Sequence, residues 1–209
     1  DNVDMATGEI LVVDKSPLTL GIETQGGVLT AVVPKQTTIP TRKSQVFSTT
    51  VDNQREVSIK IYQGERAMAR DNLLLGEFKL SGIPPAPRGV PQIEVSFELD
   101  SNSILHVSAE DRAGGSRQSI TVDKGRLSQE DIDRMLEEAE AFREEDERQR
   151  ERSAALQELE QYAYGVKSAL QDGRDRLGDA EEVDDVLEAV EEALGWTEAG
   201  LGGGRDAEE

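Results

Sequence analysis

The segment GIPPAPRGVPQIEVSF, residues 82–97, constrains this chain most. Pro84, Pro85, Pro87 and Pro91 fall within eight residues. Each fixes φ and removes a backbone donor, and each pushes the residue before it into extended backbone, so no helix passes through. Ile93, Val95 and Phe97 follow in alternation with polar residues, the period of a strand with one buried face. The chain therefore presents a stiff loop on a sheet, and a loop of that kind positions something.

The same period of two recurs in Leu18/Leu20/Ile22, Val57/Ile59/Ile61 and Leu105/Val107/Ala109. Turn signals divide the runs: Gly26-Gly27 before Val28 to Val33, Asp52-Asn53 between Val46 to Val51 and Val57 to Tyr62, and Asp100 to Ser103 after the proline loop. About seven or eight short antiparallel strands are expected, forming a compact β-sandwich. At Leu127 the period changes. Ser128 is an N-cap with Glu130 and Asp131 behind it, and Ile132, Met135, Leu136, Ala139 and Phe142 follow at helical spacing. Residues 143–152 are almost all charged and read as a helix projecting into solvent, before helical spacing resumes at Leu156 and again at Val183. The expected fold class is a β-sandwich followed by a segregated α-helical subdomain. The expected divisions are a leader at 1–16, the β part at 17–124, the helical part at 125–198 and a flexible tail at 199–209.

Charge follows the same division. Residues 1–127 carry 14 Lys/Arg against 16 Asp/Glu, whereas 128–209 carry 9 against 27, within a net charge of −20. The acidity reads as a solvated helical surface, and neither nucleic acid nor an anionic membrane is an expected partner. With no Cys there is no disulfide framework, thiol nucleophile or thiolate metal site. No apolar run approaches the length that crosses a bilayer, and residues 1–9 lack the order of a signal peptide.

Catalytic patterns are weak. The single histidine, His106, alternates away from Leu105 and Val107, which leaves no Ser/His/Asp set. No Gly-rich phosphate loop follows a strand. The residues alone give a non-enzymatic β module with no cofactor. Ile10 to Val13 with Asp14 is an apolar leader that reads equally as a buried strand or as a patch hidden against a partner.

Several stretches together resemble the client-binding half of the seventy-kilodalton heat-shock chaperones. These are PLTLGIETQGG at 17–27, TTIPT at 37–41, SQVFST at 44–49, DNQ at 52–54, GER at 64–66, the proline loop and GRLS at 125–128. The resemblance runs from about Ile10 to Trp196. LEQYAYGVKSAL at 159–170 looks eukaryotic, and TGEILVVDKSPLTLGIET is most similar to the endoplasmic-reticulum branch, with the cytoplasm as the alternative compartment. The resemblance implies a chaperone substrate-binding domain whose channel holds an extended hydrophobic segment of an unfolded protein. Ile22, Phe47, Val57 and Ile59 would line a pocket floored by Ile93, with Thr24, Ser48 and Gln54 along the channel. Gln25 and Thr50 would arch over the peptide where relatives carry apolar or aromatic residues, which implies a more polar clasp.

By the same resemblance, the segment Ile10, Leu11, Val12, Val13 and Asp14 matches an interdomain linker. The helix from Ser128 matches a lid latched by Arg88 and Glu160 with help from Asp52, and Tyr164 stands where bacterial relatives have a latch histidine. ATP and Mg would belong to a nucleotide-binding half absent from this chain. Implied partners are unfolded polypeptides, that nucleotide-binding domain, J-domain co-chaperones and nucleotide exchange factors. A co-chaperone-like relative with a holdase or scaffold role is the alternative, without the long acidic insertion such relatives carry. A carbohydrate-binding sandwich is disfavoured because the chain has only 8 aromatics and its one Trp lies in the helical part.

Overall fold

A computed structural model describes residues 14–122, 127–173 and 180–202. Eight strands come first: β1 Leu20–Thr24, β2 Val28–Val33, β3 Thr41–Phe47, β4 Glu56–Gln63, β5 Leu73–Ser81, β6 Ile93–Leu99, β7 Leu105–Asp111 and β8 Arg117–Val122. Three helices follow: α1 Gln129–Ala141, α2 Arg143–Gly173 and α3 Ala180–Gly202. The strands form two four-stranded antiparallel sheets, ordered β2-β1-β4-β5 and β3-β6-β7-β8.

The register of the second sheet follows from its side chains. Ile93 pairs with Asp111, Phe97 with Val107 and Leu99 with Leu105. Ile93, Val95, Phe97, Leu105, Val107 and Ala109 are all buried. A one-residue slip would turn this whole apolar set to the opposite face, so the register is strongly specified. In the first sheet Gly21 is required by close approach: a Cβ there would stand 2.2 Å from the Thr30 carbonyl oxygen. The turn from β1 to β2 runs through Gly26 and Gly27, at φ 80° and 70°, values that glycine adopts without strain.

Helix α1 begins where its cap chemistry places it. The Asp131 amide donates to Ser128 Oγ at 3.1 Å, and the Ser128 hydroxyl donates to Asp131 Oδ2 at 2.6 Å. Helix α2 starts immediately after a break at Phe142. It packs on α3 through Leu156, which lies 3.1 Å from where a Cβ on Gly200 would stand, and Lys167 bonds Glu191 at 3.0 Å. Ala163, Val183 and Leu194 are buried in the same unit.

The expected β-sandwich followed by a segregated helical lid is corrected. Among the described residues the chain resolves into two compact units, the second of which mixes strand and helix: 14–20, 31–59, 75–122 and 127–132 form one, and 21–30, 60–74, 133–173 and 180–202 the other. The physical reason is long-range polar pairing within the second unit. Gln25 and Arg66 bond carboxylates of α2 135 and 80 residues away, a link that no local periodicity encodes. Two strand readings also change. The run Val46 to Val51 leaves its strand at Phe47, and the strand begins at Thr41, where polar residues hide the alternation. Leu73–Ser81 is a strand that the sequence reading did not identify.

Candidate functional site

In the first unit the proline loop is bound along its length to the segment after β3. The amides of Gly82 and Ile83 both donate to the Arg55 carbonyl at 3.1 Å, and Asn53 donates to the Ala86 carbonyl at 2.8 Å. The Gly89 amide donates to the Thr49 carbonyl at 3.0 Å, and the Ser48 hydroxyl to the Pro91 carbonyl at 2.6 Å. Proline removes donors from 84–91, so the remaining amides and the neighbouring segment carry the pairing. Stiffness in this loop comes from fixed φ and from these cross-links together.

The predicted residues of this unit gather around that seam. Phe47 lies opposite Ile93 in the register of β3 and β6. Ile59 and Ile93 are buried, while Phe47 and Val57 are half-buried. Ser48 and Thr50 are exposed, and Gln54 organises the turn: its Oε1 accepts the Thr50 amide at 3.2 Å and its Nε2 donates to the Glu56 carbonyl at 2.9 Å. Asp52 Oδ1 accepts the Arg88 amide at 2.8 Å. Two partly exposed apolar side chains thus sit beside neutral polar groups.

The seam also holds a hydroxyl that sequence reading missed. Thr49 is 5% exposed, and its Oγ1 is the one buried side-chain polar atom without a hydrogen-bond partner among the described residues. No sequence signal marks it, because Thr49 sits in a run of three hydroxyl residues, Ser48 to Thr50, of which it alone is buried.

The second unit contains Ile22, Thr24, Gln25 and Glu160, whereas Asp14 of the predicted linker belongs to the first. Ile22 is buried, and Thr24 Oγ1 lies 3.2 Å from the Val28 carbonyl and 2.8 Å from Thr30 Oγ1. Gln25 Nε2 donates to Glu160 Oε2 at 2.6 Å, and its carbonyl accepts Gln157 Nε2 at 3.2 Å. Glu160 is buried at 3% exposure, so the amide of Gln25 neutralises part of a desolvated carboxylate. Arg66 is a second junction missed from sequence. It bonds Asp146 and lies over the Phe142 ring, 4.3 Å from the centroid. Ile10, Leu11, Val12 and Val13 of the predicted linker lie outside the described residues. Asp14 is exposed, and its carbonyl accepts the Ile39 amide at 2.9 Å.

No cluster of three or more His, Cys, Asp or Glu side chains among the described residues could hold a metal ion.

Comparison with known proteins gives two findings. The family model described as Hsp70 protein matches residues 2–207. A heat shock 70 kDa protein of Neurospora crassa is 51% identical over 199 residues, covering 94% of this chain and 31% of that protein. The chain thus spans under a third of the length of the curated relative it matches. The match is wider than the expected resemblance from Ile10 to Trp196. The finer likeness to the endoplasmic-reticulum branch is not carried by it. Three expectations are corrected with it: that the chain is no enzyme, that it takes no cofactor, and that it acts as a separate client-binding half. What matches over residues 2–207 is the family model as a whole, which does not set this chain apart as a client-binding half without nucleotide chemistry.

Proposed function

The chain belongs to the Hsp70 family, and from that premise we propose that the whole protein, of which it is a part, is an ATP-dependent chaperone of unfolded polypeptides. The observation that carries this reading is the family match across residues 2–207. Co-chaperones are partners on the same footing. Within this chain we assign client contact to Phe47, Ser48, Thr50, Gln54, Val57, Ile59 and Ile93, and to Ile22, Thr24 and Gln25. The geometry that supports the first group is the stiff seam between 48–55 and 82–91, which holds half-buried Phe47 and Val57 beside exposed hydroxyls. Burying one large aliphatic side chain yields about 1.5–3 kcal/mol and each backbone hydrogen bond adds about 0.5–1.5 kcal/mol, so binding in the micromolar range is expected. Asp52 braces the loop through the Arg88 amide, and Glu160 anchors Gln25.

The test is steady-state ATP hydrolysis by the full-length protein with and without a Leu-centred heptapeptide. Saturable acceleration by the peptide, lost in Val57→Phe, is expected. Absence of hydrolysis, or hydrolysis indifferent to peptide, overturns the reading.

A further inference from the structure

The exposed face of the sheet β3-β6-β7-β8 has an unusual composition. Ser44 pairs with Ser96, Ser96 with Ser108 and Ser108 with Ser119, so a serine occupies the same register position on all four strands. Serine packs poorly on a pleated surface, where β-branched and aromatic residues are the favoured occupants. Residues two apart share a face, so longer side chains flank the serine row on both sides. One flanking row is Arg42, Glu98, His106 and Thr121; the other includes Glu94, Glu110 and Arg117. Short side chains between rows of long ones leave a trench.

That trench is a cavity of about 210 Å³ lined by Arg42, Arg117, His106, Ser96, Ser108 and Ser119 among others. Ser96 is 9% exposed and lines the cavity. His106 Nδ1 lies 2.9 Å from Thr121 Oγ1, which leaves the other ring nitrogen for the cavity. Strands β3 and β8 are three interstrand steps apart, about 14 Å, yet Arg42 and Arg117 line the same space. Glu98 also lines it, and Arg117 holds Glu110 only loosely at 3.9 Å with both side chains more than half exposed. The lining itself holds two guanidinium groups against one carboxylate, Glu98, while Glu94, bonded by Arg112, and Glu110, beside Arg117, stand in the flanking row.

From this juxtaposition we propose that the trench is a binding site for a phosphate-type oxyanion. Arginine pairs with phosphate through two parallel hydrogen bonds, and hydroxyls and an imidazole N–H supply the remaining donors. A carboxylate would satisfy fewer of these donors, and a cation would meet both arginines. The shared chemistry is the phosphate group, free or as an ester on a polypeptide. None of the client contacts assigned above lies on this face.

His106 is the only histidine, so its imidazole resonances report on this trench alone. The chain is titrated with inorganic phosphate, and in parallel with a phosphoserine tripeptide, at fixed pH and constant ionic strength set with chloride. A saturable shift of the His106 signals is expected, weakened about tenfold in Arg42→Gln and in Arg117→Gln as one charge-assisted pair is lost. The ratio of the two affinities separates the free ion from a phosphorylated chain. A shift that never saturates with either probe overturns the proposal, as does saturation unchanged in the Arg42→Gln/Arg117→Gln double variant.

Discussion

Arg66 and Asp146 form a largely enclosed ion pair. The guanidinium Nε donates to Asp146 Oδ2 at 3.0 Å, with side-chain exposures of 11% and 4%. The same carboxylate oxygen accepts the Ala67 amide at 3.0 Å. Burial alone would lower the Arg66 pKa, but Asp146, with Asp71 and Glu138 behind it, outweighs that and holds it above its usual range.

Asp146→Ala therefore strands a largely buried guanidinium and an amide together. Breaking such a pair by removing one partner costs about 3–5 kcal/mol. Melting followed by helical circular dichroism is expected to shift down by roughly 6–20 °C. An unchanged transition would mean that the pair contributes nothing net.

The Gln25 and Glu160 contact gives a second prediction. Gln25→Met removes the 2.6 Å donor from a carboxylate only 3% exposed. A lost hydrogen bond to a charged group is worth about 1.5–3 kcal/mol. Amide hydrogen exchange in residues 156–163 of α2 should accelerate, and Gln25→Glu should accelerate it further by placing two carboxylates together. Equal exchange in all three proteins would contradict the account.

Thr49→Val should stabilise the chain or leave it neutral. The substitution keeps the shape, removes the unpartnered buried hydroxyl and leaves the backbone carbonyl that Gly89 uses. The gain expected from relieving one unsatisfied hydroxyl is about 1 kcal/mol. A marked loss in chemical denaturation would show that Thr49 Oγ1 has a partner in solution.

Glu94 ties stability to pH. Hydrogen bonds from Arg112, at 3.1 and 3.2 Å, and from Ser44 hold its carboxyl below the ordinary range. A carboxyl whose folded pKa is lowered contributes in full above its unfolded value, and the contribution is lost as pH falls through the lowered one. Arg112→Ala should raise the Glu94 midpoint observed by carboxyl NMR. No movement of that midpoint would assign the shift to Ser44 and Arg42.

Parts of this architecture were legible in the residues, and the reasons are specific. The alternation of Ile93, Val95 and Phe97 reads directly because their burial is set by a local period, and Ser128 reads as a cap because its partner is three residues away. Asp146 did not read: it sits in an almost all-charged run expected to face solvent, and its partner Arg66 is 80 residues away. Thr41–Phe47 was hidden for the opposite reason, since five of its seven side chains are exposed and no apolar face marks it. Among the site residues, Phe47 and Val57 were picked by family resemblance alone. The cross-links from 48–55 to the proline loop needed coordinates, because they run largely through backbone groups that every residue type shares.

The most direct test of the client contacts is fluorescence anisotropy of a labelled Leu-centred heptapeptide titrated with this chain beside Val57→Phe and Phe47→Ala variants. The account predicts saturable micromolar binding that both variants weaken at least tenfold while retaining the wild-type circular dichroism spectrum. Binding of equal strength in all three proteins, or none by the folded wild type, would contradict it.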